Sequence, residues 1–350
     1  MSGGTGCACD TVFESVDAYR ARFEQSLFDL VDHDVLGVFV LVLANASFEH
    51  HLFERLRNPL RDAFARWESR FDAGDPRAVG AAPDDIGVFQ RLRDHGFDRL
   101  GVTHWRRCGP WWLQFNLLRS FRPPRMSHAV VEAGFQPFDD SGFHFNKPFL
   151  RDEILWQGEV AGTPVRLLYN KFPFAELHGL LVPAPDQCRP QYLRRSDLEE
   201  IWQITNWLGT RLPGVGFGYN GFGAYASVNH LHFQMYCRRQ GGYPIERADW
   251  VHNGGASRYP VDVSRFEDID TCWRAVDAVH REGGGYNLLL RPGRAYLVRR
   301  ALQGSYRHAD WTGGFAWSEC AGVCTLFDEA VFADLDEDAV AAEFAAMALR

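Results

Sequence analysis

Lysine is nearly absent from this chain. Of its 37 basic residues only two are lysine, Lys147 and Lys171, and the others are arginine. A flexible ammonium and a planar guanidinium bind different things, so these two read either as point charges needed against phosphate or as chance survivors of a codon bias. A surplus of positive charge is missing as well: the net charge is −8 and the pI about 5.9. That balance excludes a sequence-independent grip on nucleic acid, which needs a basic surface to displace counterions, while leaving room for a local basic pocket.

Long apolar runs are also lacking. The longest, Val35 to Ala44, falls well short of the roughly 20 residues that span a bilayer, and no charged head followed by an apolar segment stands at the N-terminus. No membrane partner is expected, and the reading is a cytoplasmic protein. Eight cysteines, at positions 7, 9, 108, 188, 237, 272, 320 and 324, form no C-x-x-C pair. Reduced thiols are the expectation, with Cys320 and Cys324 unpaired in an extended stretch; Cys7-Ala8-Cys9 reads as part of a frayed tail or as a metal pair.

What is present is ordinary globular chemistry: 350 residues, 46% of them hydrophobic, enough for one large or two intimate domains. Apolar residues recur at helical spacing from Phe13 to Asp32 and from Phe48 to Phe71, the second stretch broken by Pro59. Residues 73–87, rich in glycine, proline and aspartate, read as a linker. Trp111 to Leu118 contains a buried strand, and Arg119, Arg122 and Arg125 follow on a proline-stiffened loop that is either a pyrophosphate clamp or a solvated basic turn. Val165–Phe172 and Leu177–Pro183 read as paired strands. Ser196 to Leu212 is the clearest helix, with Ser196 and Glu199 as a capping box and Pro213-Gly214 as its stop. Asp262 to His280 looks helical, strands are expected at 286–290, 295–299 and 319–327, and a terminal helix from Asp334 onward.

The stretch that organises the chain runs from Tyr219 to Tyr236: a glycine-rich turn leading into Asn229-His230-Leu231-His232-Phe233-Gln234. In a strand, His230, His232 and Gln234 point one way and Leu231, Phe233 and Met235 the other, so one face does chemistry and the other is core. Two histidines so spaced fit a zinc half-site or a satisfied polar face; a neutral imidazole with one nitrogen held by a neighbour also fits a nucleophile. The preceding loop, if its N–H groups are exposed, is suited to a phosphate, which favours attack on phosphorus.

Gly218 to Gln234 follows the pattern G-Y-N-x-x-G-A-x-A-x-x-N-H-L-H-F-Q with few departures, and Gln136 to Lys147 follows Q-P-F-D-x-x-x-F-x-F-x-K. Both resemble the GDP-hexose phosphorylases, in the histidine-triad superfamily with galactose-1-phosphate uridylyltransferase. Asn170, Pro173, His178 and Pro183 also fit a superfamily spacing, although the glycine follows His178 instead of preceding it. The resemblance implies an α+β histidine-triad-like fold, an antiparallel sheet with flanking helices in two halves, the second degenerate. With it go a flexible tail at 1–10, a mainly helical extension at 11–87, a catalytic half at 88–245 and a second half at 246–350. It implies a nucleotidyltransferase or phosphorylase in which His232 attacks the α-phosphorus of a nucleoside diphosphate sugar, most readily a GDP-hexose, and phosphate then releases the nucleotide. His230 orients His232 through its backbone carbonyl, and Gln234 donates to the reacting phosphoryl group. Substrate contacts are expected from Ser227, Asn220, Gly223, Asn229, Lys171, Asn170, Lys147 and Arg125, of which Asn220 and Asn229 read equally well as turn formers. No cofactor and no metal are implied. Family members are often dimers, so a homodimer is implied. The Asn170-Lys171-Phe172-Pro173 run is closer to the diadenosine tetraphosphate phosphorylases, which keeps a dinucleoside polyphosphate substrate open. A specialised biosynthetic nucleotidyl transfer and a nucleotide- or metal-binding module without turnover remain as further readings.

Overall fold

The computed structural model describes residues 12–122, 129–238 and 241–349. The tail at 1–10 with Cys7 and Cys9, and Arg125 of the arginine loop, lie outside the described residues.

A hairpin of β1 (His104–Cys108) and β2 (Trp111–Phe115) opens the sheet-forming part of the chain, turning at Gly109, whose φ of +56° suits a residue without Cβ. Eight strands then make one sheet in which every neighbouring pair is antiparallel. They are β3 (Ile154–Val160), β4 (Thr163–Tyr169), β5 (Gly179–Pro183), β6 (Val215–Asn220), β7 (Phe233–Cys237), β8 (Val263–Phe266), β9 (Gly285–Arg291) and β10 (Arg294–Arg300). Their spatial order is β3-β4-β5-β7-β6-β9-β10-β8, which puts β7 and β6 at the middle. The last strand, β11 (Val323–Leu326), returns to lie parallel to β2. Helices and antiparallel strands are mixed in the way the α+β expectation requires.

Seven longer helices flank the sheets: α1 (Val16–Leu30), α2 (Leu36–Phe48), α3 (His50–Asp72), α4 (Pro83–His95), α5 (Arg195–Gly209), α6 (Ile269–Glu282) and α7 (Glu337–Met347). The apolar run at 35–44 forms most of α2, which is buried along nearly its whole length. A helix apolar on all sides belongs inside a protein, and here it sits between α1, α3 and α4. One core joins Phe13 and the N-terminal helices to Phe217, Phe233 and Leu288 of the sheet. The opposite face carries a second core built from Trp111, Tyr236, Trp317 and Phe344. Among the described residues no helix is long and apolar enough to cross a membrane.

The structure revises several local expectations. Helix α3 runs unbroken through Pro59, because the buried stripe of Leu52, Leu56, Leu60, Ala63 and Trp67 holds it on both sides of the proline. The linker expected at 73–87 is folded: Asp75 caps a short helical turn at Pro76–Val79, and α4 begins at Pro83. Helix α5 is capped by the Asp197 carboxylate, which accepts from the Arg194 N–H at 2.8 Å, while Glu199 pairs with Arg195. The helix expected from Asp262 starts only at Ile269, since Val263–Phe266 pairs with β10 as an edge strand. Glu319 and Cys320 lie in a helical turn, Trp317–Cys320, rather than a strand.

Candidate active site

The two histidines do not sit on a regular strand. Strand β7 begins at Phe233, so His230 and His232 occupy the irregular segment leading into it, and only Gln234 lies within the ladder. The segment is held instead by residues 189–191. The Arg189 carbonyl accepts from Leu231 N–H at 2.7 Å. The Gln191 side chain acts as a strand neighbour would: its Oε1 accepts from His232 N–H at 2.9 Å, and its Nε2 donates to the carbonyls of Asn220 at 2.9 Å and His232 at 3.3 Å. Side-chain pairing stands in for a ladder here, and nothing in the local pattern of Cys188-Arg189-Pro190-Gln191 announces it. The expected division of faces survives: Leu231, Phe233 and Met235 lie in the core under the sheet.

His232 Nδ1 lies 2.8 Å from the His230 carbonyl oxygen. A carbonyl can only accept, so Nδ1 carries the proton and the lone pair is on Nε2. Burial pushes the His232 pKa down to about 4, against a smaller raising effect of that carbonyl, so the ring is neutral at physiological pH. The His230 ring does something else: its Nδ1 accepts from Phe145 N–H at 3.2 Å, and Phe138 and Phe145 pack against it. It ties the Gln136–Lys147 segment to the histidine segment. Phe145 in turn lies against His232, ring centroids 4.9 Å apart.

Gln234 is paired in register with Leu180 of β5 and Gly218 of β6. Its Oε1 accepts from the Trp317 indole N–H at 2.9 Å and lies 3.1 Å from His178 Nε2. The indole reaches it because Gly218 has no side chain: a Cβ there would stand 2.0 Å from the Trp317 ring, and one at Gly216 would stand 2.3 Å from the Tyr236 hydroxyl. The two glycines of Val215-Gly216-Phe217-Gly218 thus make room for stacked Tyr236 and Trp317 rings, 5.4 Å between centroids. Gly218→Ala is expected to lower stability by about 1–3 kcal/mol, the usual cost of overpacking, measured by urea denaturation; an unchanged midpoint would mean that the indole is not seated on this strand.

A cavity of about 1370 Å³ opens over this face. His232, Gln234, Ser227, Asn220, Asn170 and Lys171 line it, together with Arg119, Arg122, Asp85, Glu319 and Tyr225. It is larger than the roughly 300–1000 Å³ that holds most small ligands. Lys171 arrives paired: its ammonium is 2.7 Å from Asp85 and 4.0 Å from Glu153, and Asp85 packs on Gly37 of α2. The N-terminal helices therefore form part of the cavity wall, a contribution that no motif in residues 11–95 signals. Arg119 donates to the Phe172 carbonyl and stacks 4.8 Å over Phe174; burial lowers its pKa to about 10, which leaves it charged.

Other expected contacts lie elsewhere. Asn229 spends its side chain on backbone, accepting from Gln191 N–H and donating to the carbonyls of Gln136 and Pro137. Gly223, at φ +82°, packs against Leu302 and Val131 and closes a turn. Lys147 donates to the Asp140 carbonyl at 2.8 Å on the surface and is outside the cavity lining. Asn220 lines the cavity, but its Oδ1 is taken by Asn287 Nδ2 and Trp317 N–H, both at 2.8 Å. The glycine loop is not an open cradle of amides either. The N–H groups of Gly221, Phe222, Ala224 and Tyr225 bond to Tyr286, Gln191, Gly221 and Gln303. Among the described residues no cluster of three His, Cys, Asp or Glu side chains has the form of a metal site.

The fold is an antiparallel sheet with helices on its faces and a buried H-x-H-x-Q segment at its middle. Residues 111–236 match the family model described as GDPGP1-like, N-terminal domain. Similar curated proteins are GDP-D-glucose phosphorylase 1 of Danio rerio, 34% identical over 171 residues (49% of this chain and 47% of that one), and GDP-L-galactose phosphorylase 2 of Arabidopsis thaliana, 30% identical over 143 residues (35% and 32%). This part of the chain is thus similar to the GDP-hexose phosphorylases, and the chain spans about half or less of the length of those relatives. A crystal structure of yeast Ap4A phosphorylase Apa2 with Ap4A superposes with a TM-score of 0.49 at 16% identity, covering 77% of this chain and 99% of that one.

Proposed function

We propose that this protein is a phosphorylase that transfers a nucleotidyl group from a nucleoside diphosphate sugar, a GDP-hexose foremost, to inorganic phosphate. One observation carries the reading: His232 has its proton fixed on Nδ1 by the His230 carbonyl and its ring on the wall of a cavity that also holds Gln234. In the first step the Nε2 lone pair attacks the α-phosphorus, the bond from that phosphorus to the bridging oxygen breaks, and hexose 1-phosphate leaves with the electron pair. The nucleotidyl-imidazolium keeps its Nδ1 proton, stabilised by the carbonyl. In the second, an oxygen of inorganic phosphate attacks the same phosphorus, the P–N bond breaks, and nucleoside diphosphate departs. A phosphate ester is a good leaving group, so the work is charge stabilisation; Gln234 supplies a donor and Arg119 a fixed cation on the cavity wall. Relatives that carry the names of GDP-sugar phosphorylases support the choice of donor.

The test is intact-protein mass spectrometry after brief incubation, without phosphate, with GDP-glucose, GDP-mannose, UDP-glucose or diadenosine tetraphosphate. A GMP adduct on the wild type, lost in His232→Ala and discharged by phosphate, is the expected result. An AMP adduct from diadenosine tetraphosphate alone would replace the donor, and no adduct from any of the four would overturn the double displacement for these donors.

A further inference from the structure

We propose that Trp317 and His178 are positioning residues that lock the Gln234 carboxamide with its oxygen turned away from the substrate and its NH2 toward the cavity beside His232. The inference deepens the reading above and rests on it for its catalytic consequence.

The indole Nε1–H of Trp317 can only donate, and it stands 2.9 Å from Gln234 Oε1. His178 Nδ1 accepts from Phe174 N–H at 3.2 Å, which puts the imidazole proton on Nε2; that nitrogen faces the same Oε1 at 3.1 Å and Asn170 Nδ2 at 3.3 Å, of which only the oxygen can accept. Burial, helped by the nearby Arg119 charge, pushes the His178 pKa down to about 3, so the ring stays neutral above that value. A flipped amide would set its NH2 against two N–H donors and lose both bonds. An amide with a single partner could turn to suit whatever oxygen approached; one held by two donors presents the same N–H pair throughout the reaction, which is how a fixed dipole lowers a barrier.

The source of the two donors gives the second half of the chain a task. His178 comes from the catalytic half, just ahead of β5, whereas Trp317 comes from 83 residues beyond Gln234, on the helical turn after β10. That turn is itself anchored at the site, since Trp317 N–H donates to Asn220 Oδ1. A side chain 83 residues further along the chain thus aims the donor that works beside His232.

Two measurements test this. In deuterated protein with glutamine side-chain amide labelling, the Gln234 NH2 signal, assigned by its loss in Gln234→Ala, is expected to show no strong NOE to the Trp317 indole proton; a strong one places nitrogen against nitrogen and overturns the lock, whether or not the protein turns over. The second is a double-mutant cycle on the single-turnover rate of adduct formation. Trp317→Phe keeps the ring stack and removes the donor, and is expected to slow the step about 10- to 100-fold with KM within about twofold; Gln234→Ala slows it about 100- to 1000-fold, and the double variant is no slower than Gln234→Ala alone. Multiplied losses, or an unaffected Trp317→Phe, would show that Trp317 does not act through Gln234. An absent adduct on the wild type counts against the proposed reaction and leaves the NOE to decide the orientation.

Discussion

Replacing His232 with alanine is expected to slow nucleotidyl transfer by at least about 10⁴-fold, because its buried ring, protonated on Nδ1, presents the Nε2 lone pair in the cavity that holds Gln234, and loss of a covalent nucleophile commonly costs that much or more. The fold should survive. The ring's contacts are one hydrogen bond to the His230 carbonyl and packing on Phe145, so circular dichroism and the denaturation midpoint are expected to change little. Rapid-quench measurement of GMP transfer decides it, and a residual rate within tenfold of wild type would move the nucleophile elsewhere. The same ring sets a pH dependence. With its pKa pushed down to about 4 by burial, His232 is neutral above that value, so the rate of adduct formation should rise through about pH 4 and be flat from about 5.5 to 8. A rate that fell between pH 7.5 and 6 would mean an ordinary, solvated imidazole.

Stability follows the same groups with a definite sign. His178, His230 and His232 have pKa values of about 3, 4 and 4 in the folded protein, below the 6.5 of an unfolded chain. Between those values the unfolded state binds more protons, so the stability they contribute is complete above pH 6.5 and is lost as pH falls from 6.5 toward 4. Urea midpoints should therefore drop across that window.

The second large effect is expected at Asp197, which touches no cavity residue. Its carboxylate pairs with Arg189, a guanidinium only 5% exposed whose other partners are Glu200 at 2.9 Å and the Pro183 carbonyl at 3.1 Å, and it caps α5 through Arg194 N–H. Asp197→Ala leaves a buried cation with one partially exposed carboxylate and removes the cap. A loss of about 3–5 kcal/mol is expected from urea denaturation, since breaking one side of a buried pair strands the other charge. Activity should fall as well: the Arg189 carbonyl holds Leu231, between the two histidines. A loss under about 1 kcal/mol would mean that Glu200 alone satisfies Arg189.

How far the sequence carried can be seen residue by residue. The strands β4, β5, β9 and β10 and the helices α1 and α5 were legible because apolar spacing along a chain is a local property. The fold-wide order β5-β7-β6-β9 was not, since each of those neighbours is chosen by contacts across dozens of residues. Lys171 and Lys147 look alike in sequence, yet one reaches the cavity and the other the surface, because only Lys171 has Asp85 of α4 to draw it in. The glycine-rich turn that begins at Tyr219 suggested a phosphate cradle. In the folded protein the amides of Gly221, Phe222, Ala224 and Tyr225 are bonded within the chain, and Gly216 and Gly218, just before the turn, clear space for Tyr236 and Trp317.

By itself the sequence determined which groups are available for chemistry: an imidazole two residues from a carbonyl able to hold it, and an amide two residues further on. Those relations span a few bonds, and backbone geometry nearly dictates them. Tertiary structure decided which way each group faces. The Gln234 amide is turned by His178 and Trp317, the histidine segment is seated by Gln191, and the cavity is closed by helices from the start of the chain. Orientation depends on partners distant in sequence, and those are brought together only when burial of the two cores folds the whole chain around the sheet.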